Sequence, residues 1–265
     1  MTINDKKFIP YRYSSGELKL KNDYLMSFVK DNKVKIVFNN ELSFFELLLL
    51  LTYYRSNDVK IDLTLCYLPY QRMDHPNENN VETVKYVAYH LNNLNLNRLN
   101  ICQPHCELNY FKNAKEINLV EKLFDKVKNE IEFDLDKDKV IFTDKGSVKK
   151  FSHLAKNYAY GEKVRDKQTG LISSYKLCGE IENGQKILII DDIVSSGDTI
   201  CGILNLLTDF TSSEIYILSA HLENNKYNKR LEQNSQVVKI FSSNSLRKKS
   251  TKKIKLFNVV KILND

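Results

Sequence analysis

The stretch Lys186-Ile187-Leu188-Ile189-Ile190-Asp191-Asp192-Ile193-Val194-Ser195-Ser196-Gly197-Asp198-Thr199 decides how this chain is read. Ile187 to Ile190 is an unbroken, mostly β-branched apolar run, which predicts a buried strand. Two adjacent carboxylates stand where that strand ends. A turn of small polar residues follows, and the apolar run Ile200 to Leu207 predicts a helix. A strand, a small-residue turn and a helix N-terminus together form an anion cradle, because backbone N–H groups face outward and the helix dipole favours negative charge. The neighbouring acids suit neither a phosphate nor a dry core. They suit the hydroxyls of a ribose, or a metal held beside a phosphorylated sugar. An Asp pair that merely caps a helix is the simpler alternative.

Working outward, 265 residues with 42% hydrophobic content leave room for one large domain or two ordinary ones. A formal charge of +7 points to anionic partners without choosing among nucleotides, nucleic acid and lipid headgroups. Cys66, Cys102, Cys106, Cys178 and Cys201 form no C-x-x-C pair, so a reducing, cytoplasmic setting is expected. Met1 to Tyr13 is polar and interrupted by Pro10, unlike a signal peptide. The apolar run Phe44 to Tyr54 contains Glu46 and is too short to span a bilayer, so a buried helix and no membrane partner are expected.

Apolar patterning alternates between strand and helix along the chain. Strands are expected at Val34–Phe38, Val59–Leu68, Arg98–Cys102, Val140–Thr143, Leu171–Leu177, Lys186–Ile190, Glu214–Ala220 and Val237–Phe241. Helices are expected at Leu42–Tyr54, Val81–Leu91, Ile117–Val127, Val148–Asn157, after Thr199 and near Lys226–Glu232. This is an α/β pattern with mostly parallel sheets. It restarts after the charged Glu132–Lys139 stretch, which implies two α/β units with a break near residue 118.

Two further segments follow strands and therefore sit at the rim where α/β proteins bind ligands. Tyr67-Leu68-Pro69-Tyr70-Gln71-Arg72-Met73-Asp74-His75 offers aromatic stacking and a guanidinium fork for phosphate, although an ordinary turn anchored by Pro69 would read similarly. Gln103-Pro104-His105-Cys106 places a histidine at a strand end, where the role is usually structural. Cys102, His105 and Cys106 lack the second ligand pair that a zinc site needs.

Taken in order, the segments resemble the ribose-phosphate pyrophosphokinase (phosphoribosyl-pyrophosphate synthetase) family. Arg12-Tyr13-Ser14-Ser15-Gly16-Glu17 is similar to R-F-S-D-G-E, Tyr70 to His75 to Y-A-R-Q-D-R, and Pro104-His105 to the D-L-H histidine. Phe142-Thr143-Asp144-Lys145-Gly146-Ser147 resembles S-P-D-x-G-G, Lys163-Val164-Arg165 falls at the K-R-R loop, and Lys253 to Val260 resembles K-L-K-V-L-S-V-A. The resemblance implies two phosphoribosyltransferase-like α/β domains. One is an ATP-side domain over residues 1–118, and the other a ribose-phosphate-side domain over 119–265 whose last residues pack back on the first.

The implied reaction moves the β,γ-pyrophosphoryl group of Mg-ATP to the anomeric hydroxyl of a ribose phosphate and releases AMP. Such a transfer relies on positioning and charge neutralisation. By resemblance, His105 and Asp144 hold magnesium, and Tyr13, Ser15, Glu17, Arg72, Asp74 and His105 bind ATP. Tyr13, Ser15 and Glu17 would do so in a neighbouring subunit, which implies a homo-oligomer, either dimer or hexamer. Asp191 and Asp192 would grip the ribose hydroxyls, while Ser195, Ser196, Gly197 and Thr199 cradle the 5-phosphate. Lys163 and Arg165 would be the catalytic pair, on a mobile lid over Glu162–Gly170 flanked by Gly161 and Gly170; a solvated surface loop is the plainer reading.

The chain departs from the family pattern in places. Only eleven residues precede Arg12, Gln103 replaces the Asp of D-L-H, and Met73 the Gln of Y-A-R-Q-D. The family's D-D-x-x-D-T-x-G-T reads D-D-I-V-S-S-G-D-T, so that Ser195 replaces an Asp and Asp198 brings a carboxylate into the loop. A carboxylate facing a phosphate dianion costs roughly a few kcal/mol where solvation is poor. Either Asp198 turns away, or the acceptor carries a singly charged phosphate ester, as in ADP-ribose. A phosphoribosyltransferase and a catalytically idle homologue remain alternatives. Arg247-Lys248-Lys249 and Lys252-Lys253 read as a solvated basic edge, and no nucleic-acid partner is expected.

Overall fold

The computed structural model describes residues 1–76, 79–165 and 172–265, with the side chains of residues 163–165, 172 and 173 excepted. Two units emerge from the way the backbone contacts itself: Met1–Ile117 with Val259–Asp265, and Asn118–Asn258.

The first unit opens on two small antiparallel hairpins, β1 (Thr2–Ile3) with β2 (Lys6–Lys7), and β3 (Tyr11–Arg12) with β4 (Leu18–Lys19). After α1 (Asn22–Met26) the chain alternates through β5 (Lys33–Phe38), α2 (Phe44–Ser56), β6 (Lys60–Leu65), α3 (Val84–Asn92), β7 (Arg98–Cys102) and β8 (Ala114–Ile117). The sheet order is β2-β1-β5-β6-β7-β8, with β5 to β8 parallel and β1 antiparallel to β5. Helix α2 starts at Ser43 because a reciprocal capping box closes there: Ser43 Oγ accepts the Glu46 N–H at 3.1 Å, and Glu46 Oε2 accepts the Ser43 N–H at 2.9 Å. Leu47, Leu50, Leu51 and Tyr54 then recur on one face at helical spacing and are fully buried. They join Val34, Ile36, Phe38, Ile61, Leu63 and Leu65 in the core of this unit.

The second unit runs α4 (Leu119–Glu130), β9 (Lys139–Phe142), α5 (Lys145–Phe151), β10 (Tyr158–Arg165), β11 (Ile172–Cys178), β12 (Ile187–Val194), α6 (Asp198–Leu206), β13 (Ile215–Leu222), α7 (Lys229–Gln233), β14 (Val237–Ser243) and β15 (Ile254–Phe257). The short α8 (Val259–Ile262) belongs to the first unit. The sheet order is β11-β10-β9-β12-β13-β14-β15, all parallel except β11. Both faces of β12 are covered, so Ile187 to Ile190 are entirely buried, as an unbroken apolar run in a central parallel strand requires.

Two differences from the sequence expectation bear on the site. Helix α5 begins at Lys145, because the side chain of Asp144 caps it by accepting the Ser147 N–H at 3.0 Å; the remainder of the expected Val148–Asn157 helix is a 3₁₀ turn at Ser152–Leu154. Strand β10 was expected as loop and lid from Glu162 onward. It instead pairs with β9 over Tyr158–Tyr160 and with β11 out to Arg165, so Glu162–Arg165 belongs to an antiparallel ladder. Gly161 is a packing glycine there, since a Cβ would stand 2.7 Å from the Thr143 carbonyl oxygen. The rest of the expected lid, residues 166–171, lies outside the described residues, as do the side chains of Lys163 and Arg165.

Candidate active site

In the second unit the strand order reverses between β9 and β12, because the chain leaves β9 toward β10 and leaves β12 toward β13. Open α/β sheets bind ligands in the crevice at such a point, outside the carboxyl ends of the strands. Thr143 and Asp144 follow β9 at this rim, and Asp191 and Asp192 lie in the second half of β12, which runs on to Val194 and not only to the expected Ile190. The Ser147 hydroxyl lies 2.8 Å from that of Thr143 and donates to Asp191 Oδ1 at 3.2 Å. The Asp192 N–H donates to the same Asp191 oxygen at 2.9 Å, and Lys150 Nζ reaches Asp192 Oδ2 at 2.6 Å. Burial, then the neighbouring carboxylates Asp192 and Asp144, push the Asp191 carboxyl up to about 7. Three acids thus share one rim, and Asp192 has a lysine against it.

The loop beyond β12 is held rigidly. Gly197 adopts a left-handed conformation (φ 79°), and a Cβ there would meet Leu231 Cδ1 at 2.9 Å. Gly197 offers no side chain to cap α6, and the Asp198 N–H donates to Ser196 Oγ at 3.5 Å, so the N–H groups that follow it are the ones left for an incoming anion. Ser195 Oγ donates to Glu223 Oε2 at 2.7 Å, and Asn225 Nδ2 donates to the Ser195 carbonyl and to Glu223, both at 3.1 Å. Ser196 Oγ donates to Asp198 Oδ2 at 2.5 Å, and Thr199 is half-buried at the start of α6. Asp198 is exposed and forms an ion pair with Arg230.

In the first unit, β5, β6 and β7 are each followed by a non-glycine residue in the left-handed region: Asn40 (φ 57°), Tyr70 (φ 61°) and Gln103 (φ 41°). Such a residue costs about 1–2 kcal/mol, a strain that clusters where backbone is held for a purpose. Gln71 is fully buried between the latter two loops, and its Oε1 accepts the His105 backbone N–H at 2.8 Å. Its Nε2 has no hydrogen-bond partner among the described residues. Arg72 and His105 are exposed, Asp74 is half-buried, and the His75 ring lies 3.9 Å from Asp74.

The turn between β3 and β4 carries the exposed Tyr13, Ser15 and Glu17. Ser15 Oγ donates to Glu17 Oε2 at 2.8 Å, and Lys19 Nζ lies 5.0 Å from the centre of the Tyr13 ring. Arg12 fastens this hairpin by donating to the Gly16 carbonyl at 2.7 Å and to Glu46 Oε1 at 2.5 Å.

His105 lies in the first unit and Asp144 in the second. Among the described residues no three His, Cys, Asp or Glu side chains form a ready metal site. The acidic rim still fits magnesium, which takes one or two carboxylates and completes its shell with water and substrate phosphates. Burial first, and then the neighbouring Asp192 and Asp144 carboxylates, raise the Asp191 carboxyl, and a hard cation would relieve the like-charge part. Asp144 is the oxygen ligand of this rim suited to it.

Sequence reasoning passed over Lys150, Glu223 and Arg230, which brace the rim and loop, and gave no role to Ser147 and Gln71, which lie inside segments it had singled out. Arg247 corrects an expectation: it is buried and paired with Glu232 at 2.9 Å, whereas a solvated basic edge was expected. No helix among the described residues is long and apolar enough to cross a membrane.

A carboxylate pair leading into an uncapped helix start, at a reversal of strand order, defines a nucleotide- or sugar-phosphate-binding α/β protein. The phosphoribosyl transferase domain family matches residues 107–252, more than half of the chain. The ribose-phosphate pyrophosphokinase of Sulfurisphaera tokodaii is 28% identical over 213 residues, spanning 77% of this chain and 72% of that one. That of Saccharolobus solfataricus is 27% identical over 171 residues, 62% of this chain and 57% of that one. The fold matches the crystal structure of phosphoribosylpyrophosphate synthetase from Mycobacterium smegmatis with a TM-score of 0.74 at 18% identity, covering 96% of this chain and 87% of that one. The chain belongs to the phosphoribosyl transferase domain family, and the curated relatives it resembles are ribose-phosphate pyrophosphokinases.

Proposed function

We propose that this protein transfers the β,γ-pyrophosphoryl group of Mg-ATP to the anomeric hydroxyl of a ribose 5-phosphate-type acceptor, releasing AMP. The observation that carries this reading is the sequence of groups along one strand end. Asp191 and Asp192 offer carboxylates to ribose hydroxyls, and the loop from Ser195 to Thr199 offers hydroxyls and helix N–H groups to a phosphate. The Ser195 and Ser196 hydroxyls, which donate to Glu223 and Asp198 in this structure, would turn their protons to the phosphate when it binds.

The anomeric oxygen bonds to the β-phosphorus as the bond to the α,β-bridging oxygen breaks, leaving AMP. Arg72, Asp74 and His105 hold the ATP in this reading, and Lys163 and Arg165 neutralise charge as AMP departs. Asp144 and His105 are the residues proposed to hold magnesium, which would supply charge neutralisation on the phosphates. Tyr13, Ser15 and Glu17 serve the adenine pocket of a neighbouring subunit in a homo-oligomer. The five cysteines form no disulfide, which fits a cytoplasmic setting.

Ribose 5-phosphate is the favoured acceptor over a 5-substituted ribose such as ADP-ribose, because the charge of Asp198 is already matched by Arg230. AMP release from Mg-ATP, with each sugar offered separately, tests the reaction and the acceptor together. AMP with ribose 5-phosphate supports the reading in full, and AMP with ADP-ribose alone changes the acceptor. Folded protein that releases no AMP with either moves the assignment to a transferase consuming phosphoribosyl pyrophosphate, or to a non-catalytic relative.

A further inference from the structure

Helix α7 touches the phosphate loop through two consecutive residues. Leu231 is fully buried and lies against Gly197, where it leaves no room for a Cβ. Arg230 turns the other way: its Nη2 donates to the Ser196 carbonyl at 2.8 Å and pairs with Asp198 Oδ1. The Asp198 carboxyl is held below its usual range, first by the Ser196 hydroxyl and then by Arg230. Both partners are well exposed, at 43% for Arg230 and 67% for Asp198. An exposed pair of this kind adds only about 0–1 kcal/mol to stability. Its larger effect is electrostatic. Without the guanidinium, the anion cradle would carry an uncompensated negative charge one residue from Gly197 and at the first position of α6.

We infer that Arg230 is a specificity-determining residue of the phosphate loop: by covering Asp198 it lets the loop accept a terminal phosphate dianion and not only a singly charged phosphate ester. This rests on the reading of Ser195, Ser196, Gly197 and Thr199 as the 5-phosphate cradle. Arg230 acts through Asp198 and the Ser196 carbonyl, as a positioning residue. Because the two side chains form a unit, replacing both with neutral residues should largely undo the harm of replacing the arginine alone.

The test measures binding of ribose 5-phosphate and of ADP-ribose to the full-length protein by calorimetry, with kcat and KM alongside, for Arg230→Gln, Asp198→Asn and the double variant. Arg230→Gln is expected to weaken ribose 5-phosphate binding at least about tenfold, to spare ADP-ribose, and to raise KM far more than it lowers kcat. The double variant is expected to return within about threefold of wild type, and Asp198→Asn to bind ribose 5-phosphate at least as tightly as wild type. Equal losses for both sugars, no loss, or no rescue in the double variant would overturn the inference. So would weakened ribose 5-phosphate binding in Asp198→Asn, a variant that leaves the arginine anchored to Ser196 and so tests the idea even if Arg230→Gln folds poorly. Wild-type protein that binds neither sugar overturns the reading of the loop itself, and this inference with it.

Discussion

The buried side-chain oxygen of Gln71 accepts the backbone N–H of His105 at 2.8 Å, so the loops after β6 and β7 are tied to one another from beneath. Arg72 and His105 are displayed on the outer side of that tie. Gln71→Ala removes the acceptor and leaves the His105 N–H without it, at a cost of about 1–3 kcal/mol. Urea unfolding should show that loss, and the KM for ATP should rise several-fold in the protein that remains folded. A folded variant with an unchanged ATP KM would mean that the tie has no bearing on nucleotide binding.

Gly161→Ala should destabilise the second unit by about 1–3 kcal/mol through overpacking. The added methyl would press on the Thr143 carbonyl at 2.7 Å and on Ile203 at 3.2 Å, and backbone cannot swing aside as a side chain can. Because Thr143 contacts Ser147 beside Asp144 and Asp191, turnover should fall with stability. Thermal melting and AMP release on the same preparation check both effects.

Asp191 gives a pH dependence of definite sign. Its folded carboxyl keeps its proton up to about 7, against 3.8 for an ordinary aspartate. Between those values the folded state binds more protons than the unfolded state, so stability should decline as pH rises from about 4 to 7 and then level off. Urea melts without magnesium at pH 5 and pH 8 should show this decline in the wild type and a weaker one in Asp191→Asn. The same variant should lose most of its AMP release, since the carboxylate is proposed to accept ribose hydroxyls.

Lys163→Ala should abolish AMP release while leaving the melting temperature unchanged. Strand β10 keeps its backbone pairing with Tyr175 whatever side chain stands at 163. Near-normal turnover would remove Lys163 from the proposed mechanism.

The central strand, its acid pair and the helix after the loop were readable because they depend on local pattern: an apolar run, two carboxylates, small residues, another apolar run. Other features depend on contacts that no local pattern encodes. Arg230 meets Asp198 across 32 residues, and nothing around Lys229 announces a partner. Strand β10 was read as loop because Gly161 and the charges after it resemble a surface segment, whereas the glycine is required by Thr143 and Ile203. Helix α5 starts before the expected Val148: Lys145, Gly146 and Ser147 carry no apolar pattern to announce it, and the cap at Asp144 depends on its hydrogen bond from the Ser147 N–H. The left-handed Tyr70 and Gln103 were invisible, since neither residue type favours that conformation.

Val259 and Ile262 are buried in α8, and this last segment belongs with the first unit although the whole of residues 118–258 comes between. On the ribosome, residues 118–258 can emerge and fold as an uninterrupted stretch, in the order in which they are made. Residues 1–117 must wait, already synthesised yet missing a piece of their packing, until the final helix leaves the exit tunnel. The first unit is therefore completed only after the second has been made.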